Sequence, residues 1–252
     1  MSPPPPVAIR EQAREQQFSS VWTRDLNDVF ADVAPYYDRA NYVASLGLWN
    51  WFLNSFMSVV EVRPGQRVLD VCAGTNAIGI ALLKREPSLE VHAMDRSAAM
   101  QEVGQQRAQA RGLRIQSVIG DVHELPFPDN HFDVVTLQYA SRHLRVKRVF
   151  EEIRRVLKPG GRFYHCDMLR PGNPVVEKLY YAYLRFCLAM TGTLFRSGQP
   201  ALNCKKYFID ALQMFYSADE LCGMLRDLGY RDVAAKTLFA GMIGFHRATK
   251  PE

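Results

Sequence analysis

An open α/β sheet, mostly parallel and covered by helices, is the fold class that the sequence predicts, and three observations carry it. Between Arg67 and Asp167, short apolar runs alternate with helical patterns at the pace of βαβ units. The first run, Val68-Leu69-Asp70-Val71, breaks at the small residues Ala73 and Gly74 and restarts as a helix through Ile78, Ile80, Leu82 and Leu83. Such a sharp strand-to-helix turn brings free backbone N–H groups to the carboxyl end of a buried strand, where open α/β sheets bind ligands. Finally, an acid ends each of the first three strand patterns: Asp70, Asp95 and Asp121.

In chain order, Met1 to Gln17 (MSPPPPVAIREQAREQQ) is proline-rich and then polar, which predicts a disordered tail turning helical near its end. Residues 18–62 read as a cap of two or three helices, unusually aromatic, with Trp22, Phe30, Tyr36, Tyr37, Trp49, Trp51, Phe52 and Phe56. Arg63-Pro64-Gly65 is a turn that opens the main domain, 63–252. Its predicted strands are Arg67–Val71, Glu90–Met94, Ile115–Ile119, Phe132–Leu137 and Arg162–Asp167. The helices between them run from Ala77 to Arg85, from an N-cap at Ser97 to Ala110, and from Lys147 to Leu157, the last stopped by Lys158-Pro159-Gly160-Gly161. A helical insertion over 171–215 interrupts the alternation. Within it Val175–Met190 has a wide apolar face, but Glu177, Lys178 and Arg185 argue against a membrane span. Ser217 caps a further helix, and Asp232–Phe239 and Met242–Ala248 are placed to pair antiparallel.

Composition narrows the function classes. The chain has 252 residues, and its 48% hydrophobic content suffices for one α/β domain with an appended element. Lys and Arg exceed Asp and Glu by 31 to 26, a net charge of +5 without the basic, aromatic-interleaved runs of a nucleic-acid binder. That excess suits an anionic membrane surface or substrate. The five cysteines (Cys72, Cys166, Cys187, Cys204, Cys222) form no C-x-x-C pair, so neither a zinc site nor a disulfide framework is expected, and no metal. Cys72 reads as a small apolar filler. With no secretory signal pattern, a reducing, cytoplasmic setting is expected.

The acids at three successive strand ends line one edge of a parallel sheet, where a nucleoside would lie. An acid after the second strand suits ribose hydroxyls, and one after the third suits an adenine amino group. The loop lacks G-x-G-x-x-G, having only Gly74 and Gly79, and the Walker lysine motif is absent. A nucleoside without pyrophosphate is therefore implied, which points to S-adenosylmethionine.

VLDVCAGTN, the acid Asp95, GDVHELPFPDNHFDVV and RRVLKPGGRF resemble the ordered motifs of the Rossmann-like class I S-adenosylmethionine methyltransferases. FADVAPYYDRANYVASLGLWNW (Phe30–Trp51), YASRHL (Tyr139–Leu144), CDMLRP and LFAGMIGFHR resemble the UbiE/MenG family of quinone-biosynthesis C-methyltransferases. The resemblance implies a seven-stranded, mostly parallel sheet with an antiparallel terminal strand. It implies that Asp70, Gly74 and Thr75 face the methionine part of the cofactor, Asp95 the ribose, and Asp121 with Val122 the adenine. By the same resemblance Gln138 sits beside the sulfonium, Tyr37 closes over the cofactor, and Arg142 lies at the substrate. Arg142 then holds a quinol oxyanion, with Tyr139, His143, His165 and Asp167 as candidate bases or donors. The implied substrate is a lipophilic quinol, taken at the inner membrane surface by peripheral contact, with a quinone-biosynthesis complex or a homodimer as the implied assembly. The chain departs from the family pattern at Asn76, where the family has glycine, at Ala77, where it has an acid, and at His143, where it has Asn. These departures leave rhodoquinone-type amination, another small-molecule or lipid methylation, and a non-enzymatic scaffold as alternatives to quinol C-methylation.

Overall fold

The apolar run at Arg67–Val71 becomes the central strand β1, flanked by β2 (Glu90–Asp95) and β4 (Phe132–Gln138), in a computed structural model that describes residues 6–194 and 205–252. Val68, Leu69, Asp70 and Val71 are all buried, because helices cover both faces of this part of the sheet. Adding β3 (Gln116–Ile119), β5 (Leu157–Met168), β6 (Arg231–Leu238) and β7 (Ile243–Thr249) gives one seven-stranded sheet in the order β3-β2-β1-β4-β5-β7-β6. The first five strands are parallel, and β7 runs antiparallel to both neighbours. The expected antiparallel strand is thus present and last in the chain. It lies inside the sheet, with β6 at the edge.

Side chains alternate across the sheet, and each face builds its own core. Leu69, Val71, Val135, Leu137 and Phe163 pack against helix α7 (Val146–Val156). Val68, Val134, Tyr164 and Cys166 face the opposite way, with Ile80 and Leu82 of helix α5 (Ala77–Arg85). Val149, Phe150, Ile153 and Val156 of α7 are completely buried, and side chains of this size contribute about 1.5–3 kcal/mol each on burial. Ser97 caps helix α6 (Ala98–Gln109) by accepting the Met100 N–H, as expected. Ser217 and Glu220 form a capping box on the helix Ala218–Asp227.

The N-terminal segment corrects the sequence-based expectation. Instead of disorder through Gln17, helix α1 (Val7–Ser20) begins directly after Pro6. Its buried stripe is Arg10, Arg14 and Phe18, at i, i+4 and i+8. Two of the three are arginines, so the stripe carries no apolar pattern to read. Helices α2 (Leu26–Val33), α3 (Tyr37–Ala44) and α4 (Trp49–Met57) complete the expected cap. The insertion supplies α8 (Pro174–Leu194), longer than the predicted Val175–Met190, and α9 (Lys205–Gln213); its 195–204 portion lies outside the described residues, as do the first five residues of the expected tail. Cap and insertion are joined: Trp22 Nε1 donates to Tyr207 Oη at 2.8 Å, and Phe18 meets the Tyr207 ring edge-on at 5.3 Å. They form one roof over the carboxyl ends of β4 and β5.

The loop after β1 is built on left-handed backbone. Cys72, Gly74 and Asn76 have φ of 54°, 51° and 58°, and Asn is among the few residues with a side chain that tolerate this region. Asn76 therefore keeps the turn that a glycine makes in the family. Its amide is buried against α6, where Gln101 Nε2 donates to Asn76 Oδ1 at 3.0 Å. The room comes from Gly104, where an added Cβ would stand 2.7 Å from the Asn76 amide carbon and 3.0 Å from the Thr75 carbonyl carbon. Gly104→Ala is expected to lower stability by about 1–3 kcal/mol, read as a shift in the denaturant midpoint, and Asn76→Gly is expected to relieve part of it. An unchanged midpoint in the single variant would refute this contact.

Candidate functional site

Two of the three strand-end acids meet around the β1 loop. Asp70 is 1% exposed; its Oδ1 accepts the Thr136 hydroxyl at 2.7 Å, and its Oδ2 has no partner among the described residues. Burial pushes this carboxyl up to about 7 against the opposing Thr136 hydrogen bond, and neighbouring Asp95 raises it further. Asp95 is oriented by the backbone: Oδ2 accepts the Gly74 N–H and Oδ1 the Ser97 N–H, each at 2.8 Å. Burial raises its pKa while these N–H groups lower it. Asp121 lies beyond β3 and is more exposed. It accepts the His123 N–H at 2.9 Å and pairs with His123 Nδ1 at 2.5 Å, and the latter bond, as the largest influence, holds its carboxyl well below the usual range. Val122 beside it is buried.

A buried carboxylate oxygen without a partner fits the ammonium group of an amino-acid moiety, which would restore its charge. Asp95, with both oxygens fixed by N–H donors, keeps lone pairs for a vicinal diol. These two acids suit the methionine and ribose ends of S-adenosylmethionine. Thr75 is placed differently from the expectation. Its hydroxyl donates to Asp38 of α3 at 3.1 Å and accepts from Arg107 of α6 at 2.6 Å, and Arg107 pairs with Asp38. Thr75 is thus the centre of a latch between loop and cap.

On the other side of the loop, β4 ends at Gln138 and the chain turns through Tyr139, whose φ of 55° is strained for a bulky side chain. The Tyr139 ring stacks on Trp49 of the cap at 5.5 Å. A single helical turn, Ser141–His143, then presents Arg142. Arg142 Nη1 donates to Asp167 Oδ1 at 2.5 Å and to the Tyr139 carbonyl at 2.8 Å. Asp167 is completely buried and accepts three further bonds: from Ser141 Oγ at 2.6 Å, the Met168 N–H at 2.7 Å and the Arg142 N–H at 3.3 Å. Burial works against the Arg142 charge, but the Asp167 carboxylate, with Tyr37 and Tyr180 adding to it, raises its pKa overall and the guanidinium is held protonated.

Arg142 and Tyr139 line a cavity of about 460 Å³ beneath the roof, with Tyr37, Phe30, Tyr180 and Phe239 among its walls. The lining is aromatic and aliphatic, and Arg142 is its only cation among the described residues. Tyr37 faces Arg142 from α3, and burial pushes its phenol up although the cation opposes this. The residues missed by sequence reasoning are those from the insertion, such as Tyr180, Leu184 and Phe208. The wide apolar face of Val175–Met190 was the signal for Tyr180 and Leu184, without indicating which side would line a cavity, and Phe208 lies outside it on α9.

His143 does not join this wall. Its Nδ1 is 2.7 Å from Tyr207 Oη, and the ring packs edge-on against Phe208. Burial first, then the cations of Arg142 and Arg14, depress its pKa well below the ordinary value, so it is neutral. His165 is also fully buried, bridging Ser141 Oγ at 2.7 Å and His246 Nδ1 at 3.0 Å. Neither imidazole lines the cavity: His143 turns to Tyr207, and His165 is held within the core on β5 by Ser141 and His246. No group of three or more metal-ligating side chains occurs among the described residues.

The ubiE/COQ5 methyltransferase family matches residues 15–250. The ubiquinone/menaquinone biosynthesis C-methyltransferase UbiE of Ectopseudomonas mendocina is 33% identical over 228 residues, covering 89% of this chain and 88% of that protein. The demethylmenaquinone methyltransferase of Geobacillus kaustophilus is 34% identical over 225 residues, covering 88% and 95%. Among solved structures, an S-adenosylmethionine-dependent methyltransferase from Thermotoga maritima aligns with a TM-score of 0.64 at 17% identity, over 88% of this chain and 98% of that one. A Haemonchus contortus N-methyltransferase in complex with S-adenosylhomocysteine gives 0.62 at 18% identity, over 82% and 53%. The structural likenesses show the shared fold, and the sequence match spans both the loop of Asp70 and the turn of Arg142. The chain belongs to the ubiE/COQ5 methyltransferase family of S-adenosylmethionine-dependent enzymes.

Proposed function

We propose that this chain methylates a ring carbon of a demethylated benzoquinol or naphthoquinol in ubiquinone or menaquinone biosynthesis. The single observation that carries the reading is the Arg142 cation, half-buried and held by Asp167, in the wall of an aromatic cavity. S-adenosylmethionine, when bound, supplies an electrophilic methyl group. The ring carbon is nucleophilic when the neighbouring oxygen has lost its proton, and Arg142 stabilises that oxyanion. Asp167 keeps the guanidinium charged and aimed. The aromatic walls exclude water and hold a flat ring, and holding two reactants in line can contribute ~7–11 kcal/mol. Asn76 preserves the loop turn despite the changed residue. The curated relatives are named for quinone C-methylation, and nothing in the comparisons favours rhodoquinone-type amination, another small-molecule or lipid substrate, or a scaffold.

A quinol with an isoprenoid tail must reach the cavity from a bilayer. Leu46, Leu48 and Phe239 line the cavity and are also exposed, and the exposed Trp51 touches Phe239 at 5.9 Å. These side chains support a peripheral membrane contact at the cavity margin; no helix among the described residues is long and apolar enough to cross a membrane.

Incubation with S-adenosylmethionine and a panel of demethylated quinols is expected to give products heavier by one methyl group. Arg142→Ala should slow this step about 10²–10³-fold while cofactor affinity, read by calorimetry, is retained. No turnover of any quinol would overturn the function.

The raised pKa of Asp70, about 7, gives a separate signature. A carboxyl raised in the fold contributes stability in acid that is lost as pH climbs from the unfolded value towards 7. A cofactor ammonium beside it lowers that pKa, so binding near pH 6.5 should release a proton from Asp70. Calorimetry in two buffers of different ionisation enthalpy measures the release; equal release in Asp70→Asn would refute the assignment.

Trp51→Ser is expected to weaken co-sedimentation with anionic liposomes at low salt. If the parent protein ignores such liposomes, the membrane contact is wrong.

A further inference from the structure

The turn that presents Arg142 is held from two sides. On its donor side Asp167 takes the Arg142 N–H and the Arg142 guanidinium. On its acceptor side the hydrogen bonds come from Arg14 of α1, 128 residues away in sequence. Arg14 Nη2 donates to the Arg142 carbonyl at 3.0 Å and approaches the Leu144 carbonyl at 3.5 Å. Arg14 is completely buried. Its guanidinium centre lies 5.1 Å from the ring centroids of Phe215 and Tyr216 and 5.5 Å from that of Trp22. Nη1 donates to Glu11 and to Tyr216 Oη, each at 3.3 Å. Tyr216 in turn bonds Glu11, whose other oxygen accepts the Lys147 N–H at 3.4 Å, at the start of α7.

Burying a guanidinium is unfavourable unless its donors are spent and its faces covered. Here Nη2 serves the carbonyls of the Arg142 turn, groups that a one-turn helix leaves without internal partners, and Nη1 serves Glu11 and Tyr216, while Nε has no partner among the described residues. A guanidinium can serve the turn through Nη2 and Glu11 with Tyr216 through Nη1 at once, a spread of donors that a compact ammonium does not match. Residues 7–14 precede the part of the chain matched by the family.

We propose that helix α1 is a working part of the substrate site and that Arg14 is a positioning residue for Arg142, fixing its turn through the Arg142 carbonyl. The inference rests on the role of Arg142 at the quinol oxygen given above. Arg14 touches neither substrate nor cofactor; it removes a degree of freedom from the loop that does.

The test uses the full chain with Arg14→Met and Arg14→Lys, and two readouts. Amide hydrogen exchange, followed by mass spectrometry without substrate, is expected to rise in 141–145 of the Met variant while 67–74 stays at the parent level. With quinol and S-adenosylmethionine, kcat should fall about 10- to 100-fold, cofactor Kd should be unchanged, and Lys should recover part of the loss. Exchange rising equally in both segments would mean that Arg14 only stabilises the domain, and would overturn the proposal. So would parent-like exchange in 141–145. If the parent itself turns over no quinol, the substrate reading fails, and the exchange measurement still decides whether Arg14 holds the turn.

Discussion

A carboxylate with no exposure, Asp167, sits at the end of β5 and gathers a side-chain hydroxyl, two backbone N–H groups and the guanidinium of Arg142. The arrangement of the aromatic cavity depends on this pair. A cation in an apolar wall is tolerable only where a counter-charge is fixed and fully hydrogen-bonded. Because Asp167 is on the sheet, its hydrogen bonds tie a turn of three residues directly to β5. The turn places His143 in the protein interior and β5 does the same for His165, which leaves Arg142 as the one cation lining the cavity among the described residues.

Around this pair the protein separates two tasks. The carboxyl ends of β1 and β2 hold acids that suit a nucleoside amino acid: one oxygen of Asp70 lacks a partner among the described residues, and Asp95 is fixed by the Gly74 and Ser97 N–H groups. The roof above β4 and β5 supplies an apolar space for a flat ring. The two halves are tied by the Asp38–Thr75–Arg107 latch, which joins the cofactor loop to the same helix that bears Tyr37. Movement of the cap is therefore felt at both the loop and the cavity. The departures from the family pattern at Asn76 and at His143 have different structural consequences. Asn76 adopts the backbone that glycine would, with Gly104 making room for its amide. His143 exchanges an amide for an imidazole that bonds Tyr207 of the roof.

Local chemistry is what a sequence exposes, and here it exposes a good deal. β-branched runs, the Ser97 and Ser217 caps, the left-handed tolerance of Asn76 and the acids at strand ends all depend on neighbours within a few residues. They hold in the structure because nothing distant overrides them. The same is true of the alternation that places Asp70 and Asp95 at one edge of the sheet.

What the tertiary structure alone decides are the contacts between segments far apart in the chain. The stripe of Arg10, Arg14 and Phe18 looks solvated until Phe215 and Tyr216 cover it, so α1 is invisible to any local pattern. Thr75 turns to the latch because Asp38 and Arg107 converge on it. His143 turns from the cavity because Tyr207 of the insertion stands within hydrogen-bond reach. β7 takes the inner position in the sheet because it pairs with both β5 and β6. By itself, then, the sequence determined the sheet, the cofactor edge and the family. Which polar side chains face the cavity and which hold the fold was decided by packing, because a buried polar group is directed by the partner that satisfies it, and such a partner lies as far as 202 residues away for Arg14 and Tyr216.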